Sequence, residues 1–429
     1  MKNRGPLTIA VKSLSEDGCG YSDDGHYAVY GSLEGEIVSA LPLARKRGRL
    51  YMTTNAVLLP SPDRVEPKCS VAGLCGGCSF QHLSQASQLE LKASYLVNQL
   101  TPLEPTEWLV PLVGSGFGYR TKARFGVKYV EKKKCILVGF REKQKPFITD
   151  TDQCPIIIER FKRLIPDLKA LIEQLSIMRS IPQVELIAGD ADRALVFRHL
   201  EPFDESDLEI LKKFSDATGF WIYFQSSGPD SISKIFPESG SEALVYSVPE
   251  FDLNFRFGPL DFTQVNLAVN RRMIRLAVDM LALSASDHVL DAFCGIGNFS
   301  LAIARSAGWV SGLELASTSI QRAELNARDN SIRNVAFEVV DLNDESVRLP
   351  VNNDFNKVLL DPPRSGAEAL VKRLDTLYVD VVVYICCNPE TLARDAKILC
   401  RRGFRLISAG IIDMFPNTTH VECIALFQR

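Results

Sequence analysis

The feature that most constrains this chain is a change of pattern after Phe262. From there, short apolar runs alternate with amphipathic stretches: HVLDAFC, NFSLAIARSA, WVSGLEL, TSIQRAELNARDN, VAFEVVDL, KVLLDPPR and VVVYICCNP. Repeated switching between a strand period and a helix period requires a parallel sheet with helices packed on its faces. VNRRMIRLAVDMLAL reads as a helix leading into this region. RLISAGIID and HVECIALFQR read as an antiparallel hairpin closing it. The expected unit is a Rossmann-like α/β domain over residues 256–429.

The rest of the chain does not continue that pattern. The first 62 residues hold LTIAVKSL, HYAVYG, GEIVSAL and RLYMTTNAVLLP, with Gly18, Gly20, Gly25 and Gly31 between or within them. Short strands at this spacing, with no amphipathic helix among them, predict a small β-barrel of the oligonucleotide-binding type. Residues 63–255 mix helical stretches (Gln85 to Leu100, Arg160 to Met178) with strands such as ARFGVKYV, CILVGF, VELIAG and ALVFRHL, and predict an α+β domain. No run approaches the ~18 apolar residues of a membrane span. No apolar stretch follows Met1 to Pro6 to act as a leader, so a cytoplasmic protein is expected.

Net charge is only −3, from 49 basic and 52 acidic residues. The local distribution is different: Tyr119 to Lys145 carries ten Lys and Arg against Glu131 and Glu142, and Arg45-Lys46-Arg47-Gly48-Arg49 forms a second cluster. Two such runs in a slightly acidic chain point to a polyanionic partner.

The strand HVLDAFC runs into Gly295-Ile296-Gly297-Asn298-Phe299 and then a helix. Glycines at that turn let the backbone approach a cofactor. Glu314, at the end of the next strand, is placed to bind ribose hydroxyls, and Asp341, one strand further, to meet an adenine amino group. A dinucleotide site would call for a third glycine where Ser300 stands. The pattern D-x-F-C-G-x-G-x-F-S instead resembles the S-adenosylmethionine loop of class I methyltransferases.

Two further strand ends face the same crevice. One carries Asp361-Pro362-Pro363-Arg364 and the next carries Cys387 before Asn388-Pro389. A D-P-P-aromatic motif serves exocyclic amine methylation, but Arg364 stands in the aromatic position. Cys387 suits a different reaction. Uracil C5 is too weak a nucleophile to take a sulfonium methyl group until a thiolate adds to C6, and a base must then remove the C5 proton. Glu422, in the closing hairpin, is the candidate base. Cys386, on the opposite strand face, reads as a buried thiol, and His420 as a supporting residue.

Together FTQVN, DAFCGIGNFSL, LLDPPRSG, YICCNPETLARD and MFPNTTHVE resemble the motif series of the RNA uracil-C5 methyltransferases. The resemblance implies Cys387 as nucleophile, Glu422 as base, and cofactor contacts at Gln264, Phe293, Asn298, Glu314, Asp341 and Asp361. Cys386 occupies a position that is serine in the family.

Eleven cysteines in a chain of cytosolic character argue for metal or catalysis rather than disulfides. Cys69, Cys75 and Cys78 need a fourth ligand, with Cys154 the first candidate and Cys135 the second. Spacing alone favours zinc slightly over a four-iron cluster. CGGCSFQHL with a later D-x-C-P resembles the iron–sulfur branch of the family, which implies a [4Fe–4S] cluster on Cys69, Cys75, Cys78 and Cys154. The N-terminal barrel resembles the TRAM module of that branch, and the resemblance implies that part of the central domain, near residues 87–118, packs with the catalytic domain. The implied partner is 23S ribosomal RNA with a flipped uridine, the implied protein a monomer, and Arg120, Lys122 and Arg124 the residues along the RNA path. Transfer RNA as substrate, amino-group methylation through Asp361-Pro362-Pro363-Arg364, and an RNA-binding scaffold with a vestigial cofactor fold are the competing readings.

Overall fold

The computed structural model describes residues 5–346, 349, 355–374 and 378–429. Met1 to Arg4, included above in the stretch without a leader, lie outside them.

Among the described residues the strands form three sheets and a hairpin. In the N-terminal sheet the strands run in the order Leu7–Ala10, Ile37–Lys46, Arg49–Leu59, Tyr27–Tyr30, Cys19–Tyr21 and Ser13–Leu14. Register shifts between the two long strands bend the sheet. Val11 donates to the Glu36 carbonyl and Lys12 to that of Tyr21, drawing the two edges together. The stretch LTIAVKSL therefore breaks into two strands at the corner. Ile9, Val11, Val29, Val38, Ala40 and Met52 fill the interior.

The central sheet has the order Ile232–Phe236, Trp221–Gln225, Arg193–Arg198, Gln183–Ala188, Lys122–Val130, Cys135–Gly139. One face is covered by Leu164–Ile172 and Glu205–Thr218, whose apolar residues share a core with Phe125, Leu186 and Phe197. The helix expected from Arg160 to Met178 is shorter: Glu159–Phe161 is a 3₁₀ turn and the α-helix begins at Leu164. Pro166 lies within its first turn, where the missing N–H costs no intrahelical bond.

The third sheet orders Val335–Val339, Trp309–Glu314, His288–Ala292, Lys357–Leu360, Val381–Cys386, Glu422–Gln428, Arg405–Ile412 and Glu107–Trp108. The first five are mutually parallel. Glu422–Gln428 is antiparallel to both its neighbours. Glu107–Trp108 adds an edge strand from far upstream, and Leu96 and Leu100 of the helix Gln85–Leu100 enter the core with Leu399 and Phe427. Among the described residues no helix is long and apolar enough to cross a membrane.

Candidate active site

A cavity of about 1120 Å³ opens at the C-terminal ends of the parallel strands. That is where ligands bind in sheets of this kind, because the strand-to-helix turns leave a crevice there. Gln264, Phe293, Glu314, Asp361, Cys387 and Glu422 all contribute to its wall.

On one side the chain turns sharply after His288–Ala292. Phe293 has a φ of +65°, Gly295 +54° and Gly297 +88°. Phe293 is the residue for which this is strained, and such outliers cluster at functional sites. A Cβ on Gly295 would meet nothing within 4 Å, so this turn is open to the cavity. Glu314 accepts from the Gly295 N–H (3.3 Å) and from Ala316 N (3.0 Å), tying the loop to the next strand end. Asp291 beneath the loop is fully buried. Ser300 Oγ donates to one of its oxygens, the other has no partner, and burial raises the carboxyl to about 7.

Two expected cofactor contacts are placed differently. The Asn298 amide forms a reciprocal pair with Asn270 (3.0 Å each way) and accepts from Tyr246 Oη (2.9 Å), so it braces the loop from behind. Asp341 is exposed and accepts from Asn343 N (3.0 Å). Its neighbours Val340, Leu342 and Asn343 line the cavity in its place. Capping of its own turn takes the Asp341 carboxylate away from the wall.

On the other side, register brings Cys387 and Glu422 together. Cys386 pairs with Cys423 across antiparallel strands. Continuing that register sets Cys387 opposite Glu422, with both side chains on the cavity face. The antiparallel strand begins where its parallel neighbour ends, and this is how a residue from the closing hairpin reaches the cofactor crevice. Cys386 and Cys423 point the other way and are buried.

The electrostatics of the pair are governed by desolvation. Burial, then Glu422 and Cys386, push the Cys387 thiol up to about 11, with Arg364 opposing. Burial, then Asp361, hold the Glu422 carboxyl well above the usual range. Asp361 itself is raised to about 7 by burial and by Asp291. Desolvation therefore favours the thiol form of Cys387 and the neutral form of Glu422 in the free protein. Arg364 is the nearby cation, and its Nη2 stands 2.6 Å from His420 Nδ1. A guanidinium only donates, so Nδ1 accepts and the neutral ring carries its proton on Nε2. Burial and Arg364 lower the His420 pKa, in keeping with the neutral form.

Sequence reasoning missed the residues that hold this constellation. Asp395 is buried, accepts from Tyr384 Oη (2.6 Å) and Ala367 N (2.7 Å), and is flanked by Arg394. It pins the loop that follows Arg364 to the helix Pro389–Arg401, whose N-cap is Asn388. Lys92 and Asp413 form a buried ion pair at 2.7 Å, and Lys92 Nζ also donates to the Phe415 carbonyl at 3.0 Å. An isolated Lys in an amphipathic helix carries no signal for such a partner.

The cysteine-rich segment lies beside this site. Burial raises Cys78 to about 11, with Cys75 and Cys69 adding, and raises Cys154 to about 12, with Cys78, Cys75 and Cys69 adding. Gly77 N donates to Cys75 Sγ (3.4 Å), Gln81 Nε2 to Cys78 Sγ (3.2 Å), and the buried Lys143 ammonium sits among the thiols on the Ala72 carbonyl at 2.6 Å. Cys135 opens a strand of the central sheet. Among the described residues no three His, Cys, Asp or Glu side chains stand close enough to hold a single metal ion. The four thiols therefore stand wider apart than the ligands of a tetrahedral zinc site.

Several residues of the basic run are engaged in internal contacts. Lys122 is half-buried and donates to the carbonyls of Pro259 (3.0 Å) and Asp261 (3.2 Å), supporting the loop before Gln264. Arg124 pairs with Glu185 (3.3 Å), and Arg120 Nε donates to the Lys122 carbonyl (2.9 Å). The strand Lys122–Val130 pairs on both edges, and alternation puts its basic residues Lys122, Arg124 and Lys128 on one face, opposite the buried Ala123, Phe125 and Val127.

Comparison with known proteins places this geometry. The sequence model of the tRNA (uracil-5-)-methyltransferase family matches residues 84–429. The 23S rRNA (uracil(1939)-C(5))-methyltransferase RlmD of Hahella chejuensis is 45% identical over 99% of this chain and 97% of its own length. The protein of the same name from Alcanivorax borkumensis is 42% identical, with the same coverage of both chains. The crystal structure of Pyrococcus abyssi tRNA (uracil-54, C5)-methyltransferase with S-adenosyl-L-homocysteine superposes with a TM-score of 0.78 at 26% identity, covering 98% of this chain and 99% of that one. The chain belongs to the uracil-5-methyltransferase family.

Proposed function

We propose that this enzyme transfers the methyl group of S-adenosylmethionine to C5 of one uridine in 23S ribosomal RNA. The observation that carries the reading is the placement of Cys387 opposite Glu422 on the wall of a cavity it shares with the Gly295 turn and Glu314. A thiol and a carboxyl meeting at a cofactor crevice are what C5 methylation requires and amine methylation does not.

The uridine, flipped from its stack, enters between the two. Cys387 gives its proton to solvent and its sulfur bonds to C6, so that the C5–C6 π electrons become an enolate with carbanion character at C5. C5 displaces the methyl group from sulfonium, leaving S-adenosylhomocysteine. Glu422 takes the C5 proton, the C5–C6 double bond re-forms, and the Cys387 thiolate leaves. Cys387 sits just before the N-terminus of Pro389–Arg401, where the helix dipole and Arg364 favour the thiolate. Gln264, Phe293, Glu314 and Asp361 bind the cofactor and orient the base. Asn298 and Asp341, the remaining contacts expected from sequence, act by shaping the loops that bear the cofactor.

Cys69, Cys75, Cys78 and Cys154 suit a [4Fe–4S] cluster: four soft donors, N–H groups aimed at two sulfurs, and a buried cation to offset the charge. Bound there, the cluster would cross-link the loops bearing Cys69–Cys78 and Cys154 and take no part in methyl transfer. The N-terminal sheet acts as a TRAM-like RNA-binding barrel, spanning residues 1–62 and followed by the cysteine-bearing domain to residue 255. The enzyme works as a monomer in the cytoplasm.

Mixing the protein with S-adenosylmethionine and 5-fluorouridine-substituted 23S rRNA tests the reading, because fluorine at C5 cannot be removed as a proton. A methylated covalent adduct on a denaturing gel, absent in Cys387→Ala, is the expected result. An adduct formed only on transfer RNA would move the substrate, and methyl transfer by Cys387→Ala would remove Cys387 from the reaction.

A further inference from the structure

The loop from Asp413 to Val421 joins the closing strands and carries His420 up to Glu422. Its midpoint, Pro416-Asn417, is held from outside the catalytic sheet. The Asn417 carbonyl accepts both the Ser79 N–H (2.8 Å) and the Phe80 N–H (3.0 Å), the two residues directly after Cys78. Tyr119 is buried in a small cluster with Cys78, Cys154 and Ile156, and its hydroxyl donates to the Pro416 carbonyl at 3.0 Å. The Asn417 side chain is held as well: Nδ2 donates to Gly116 O (2.6 Å), Oδ1 accepts from Gln88 Nε2 (3.3 Å), and Gln88 Oε1 accepts from Asn417 N (2.9 Å). Asn417 has a φ of +63°, a conformation that persists when its surroundings over-determine it.

We infer that the Cys78 segment and Tyr119 form a latch that positions the loop bearing His420 and leading into Glu422. Tyr119 is a positioning residue in this arrangement; it lies under the loop. The asymmetry between the two halves of the site supports this. Cys387 is set by its own strand and by the Asp395–Tyr384–Ala367 cluster, both internal to the catalytic sheet. Most of the loop's described hydrogen bonds come from upstream segments, Ser79–Phe80, Gln88–Lys92, Leu112 and Gly116–Tyr119, beside Asn266 on the Met414 carbonyl and Arg364 on His420. The latch thus tunes the proton-abstraction half of the reaction separately from the thiolate half. The link to chemistry rests on Glu422 being the base.

Tyr119→Phe in the full-length protein keeps the ring and removes the bond to Pro416. Hydrogen exchange of peptides covering Phe415 to His420 should quicken, while those covering Val381–Cys386 stay unchanged. Turnover on unmodified 23S rRNA should fall roughly fivefold, the order expected for one hydrogen bond. The 5-fluorouridine adduct should form at the wild-type rate, since that adduct needs no proton removal. Unchanged exchange in the loop would overturn the latch. Faster exchange with unchanged turnover, or equal losses of turnover and adduct, would overturn its link to proton abstraction. Glu422→Gln, assayed in parallel, separates the two readings: full turnover by that variant removes Glu422 as base, while the exchange data still judge the latch.

Discussion

In the proposed reaction Cys387 and Glu422 meet the same difficulty: each must be charged to act, and each lies where charge is disfavoured. The thiol is pushed up to about 11, and the carboxyl is raised as well, so the reactive form of both accumulates as pH rises. The rate of adduct formation with 5-fluorouridine RNA should therefore climb from pH 6 to 9 without a plateau; a flat profile would mean that RNA binding alone sets the ionisation. Asp291 contributes in the opposite direction to stability. Its folded pKa of about 7 exceeds the ordinary 3.8, so the folded state holds the extra proton between those values. Stability from this group is highest at low pH and falls as pH rises from 4 to 7. Asp291→Asn should flatten the Tm-against-pH curve over that interval, and an unaltered slope would show that Asp291 is not the source. Cys387, Glu422, Asp361 and Arg364 were legible as residue types at strand ends. The Arg364–His420 hydrogen bond was not, because 56 residues separate the partners.

At the scale of elements, the site depends on contacts that pattern alone does not announce. The helix Gln85–Leu100 shows its apolar spacing in the sequence, yet nothing there says that Lys92 is buried against Asp413. Both side chains are nearly inaccessible, at 3% and 2% exposure, so removing one strands the other's charge. Lys92→Met should cost about 3 to 5 kcal/mol, read as a drop in Tm, with the loop around Phe415 the first to open. Asp413→Asn should cost less, because a neutral amide still accepts from Lys92; equal losses would argue that packing and not charge dominates. The alternating strands and helices after Phe262 were readable because each element buries a defined face, and the closing hairpin because it ends in two apolar runs. The edge strand Glu107–Trp108 was not readable. Two residues have no period, and only the free edge of Arg405–Ile412 makes them a strand.

Across the whole molecule, the proposed RNA-binding barrel and the proposed reacting groups lie on different sheets. Arg45 and Arg47 are exposed at the turn of the N-terminal hairpin, away from internal partners in the described contacts. Changing both to Ala should weaken 23S rRNA binding and reduce the slope of log K against log salt by about two if each meets a phosphate. Adduct formation at saturating RNA should be unaltered. An unchanged slope would place the RNA path elsewhere.

The sequence by itself determined the α/β class, the Gly295–Gly297 turn and which thiol and carboxyl are candidates to react, because these follow from period, glycine placement and side-chain chemistry, all local properties. Only the tertiary structure decided which charges are available and which are internal: Lys122, Lys143 and Lys92 look alike in a string, and each has its ammonium on a backbone carbonyl. It also decided that Asn298 turns inward, that Asp341 caps its own turn, and that the segment after Cys78 grips the loop before Glu422. These depend on which surfaces meet when the sheets close. Long-range burial sets both the desolvation of a charge and the partners left for it.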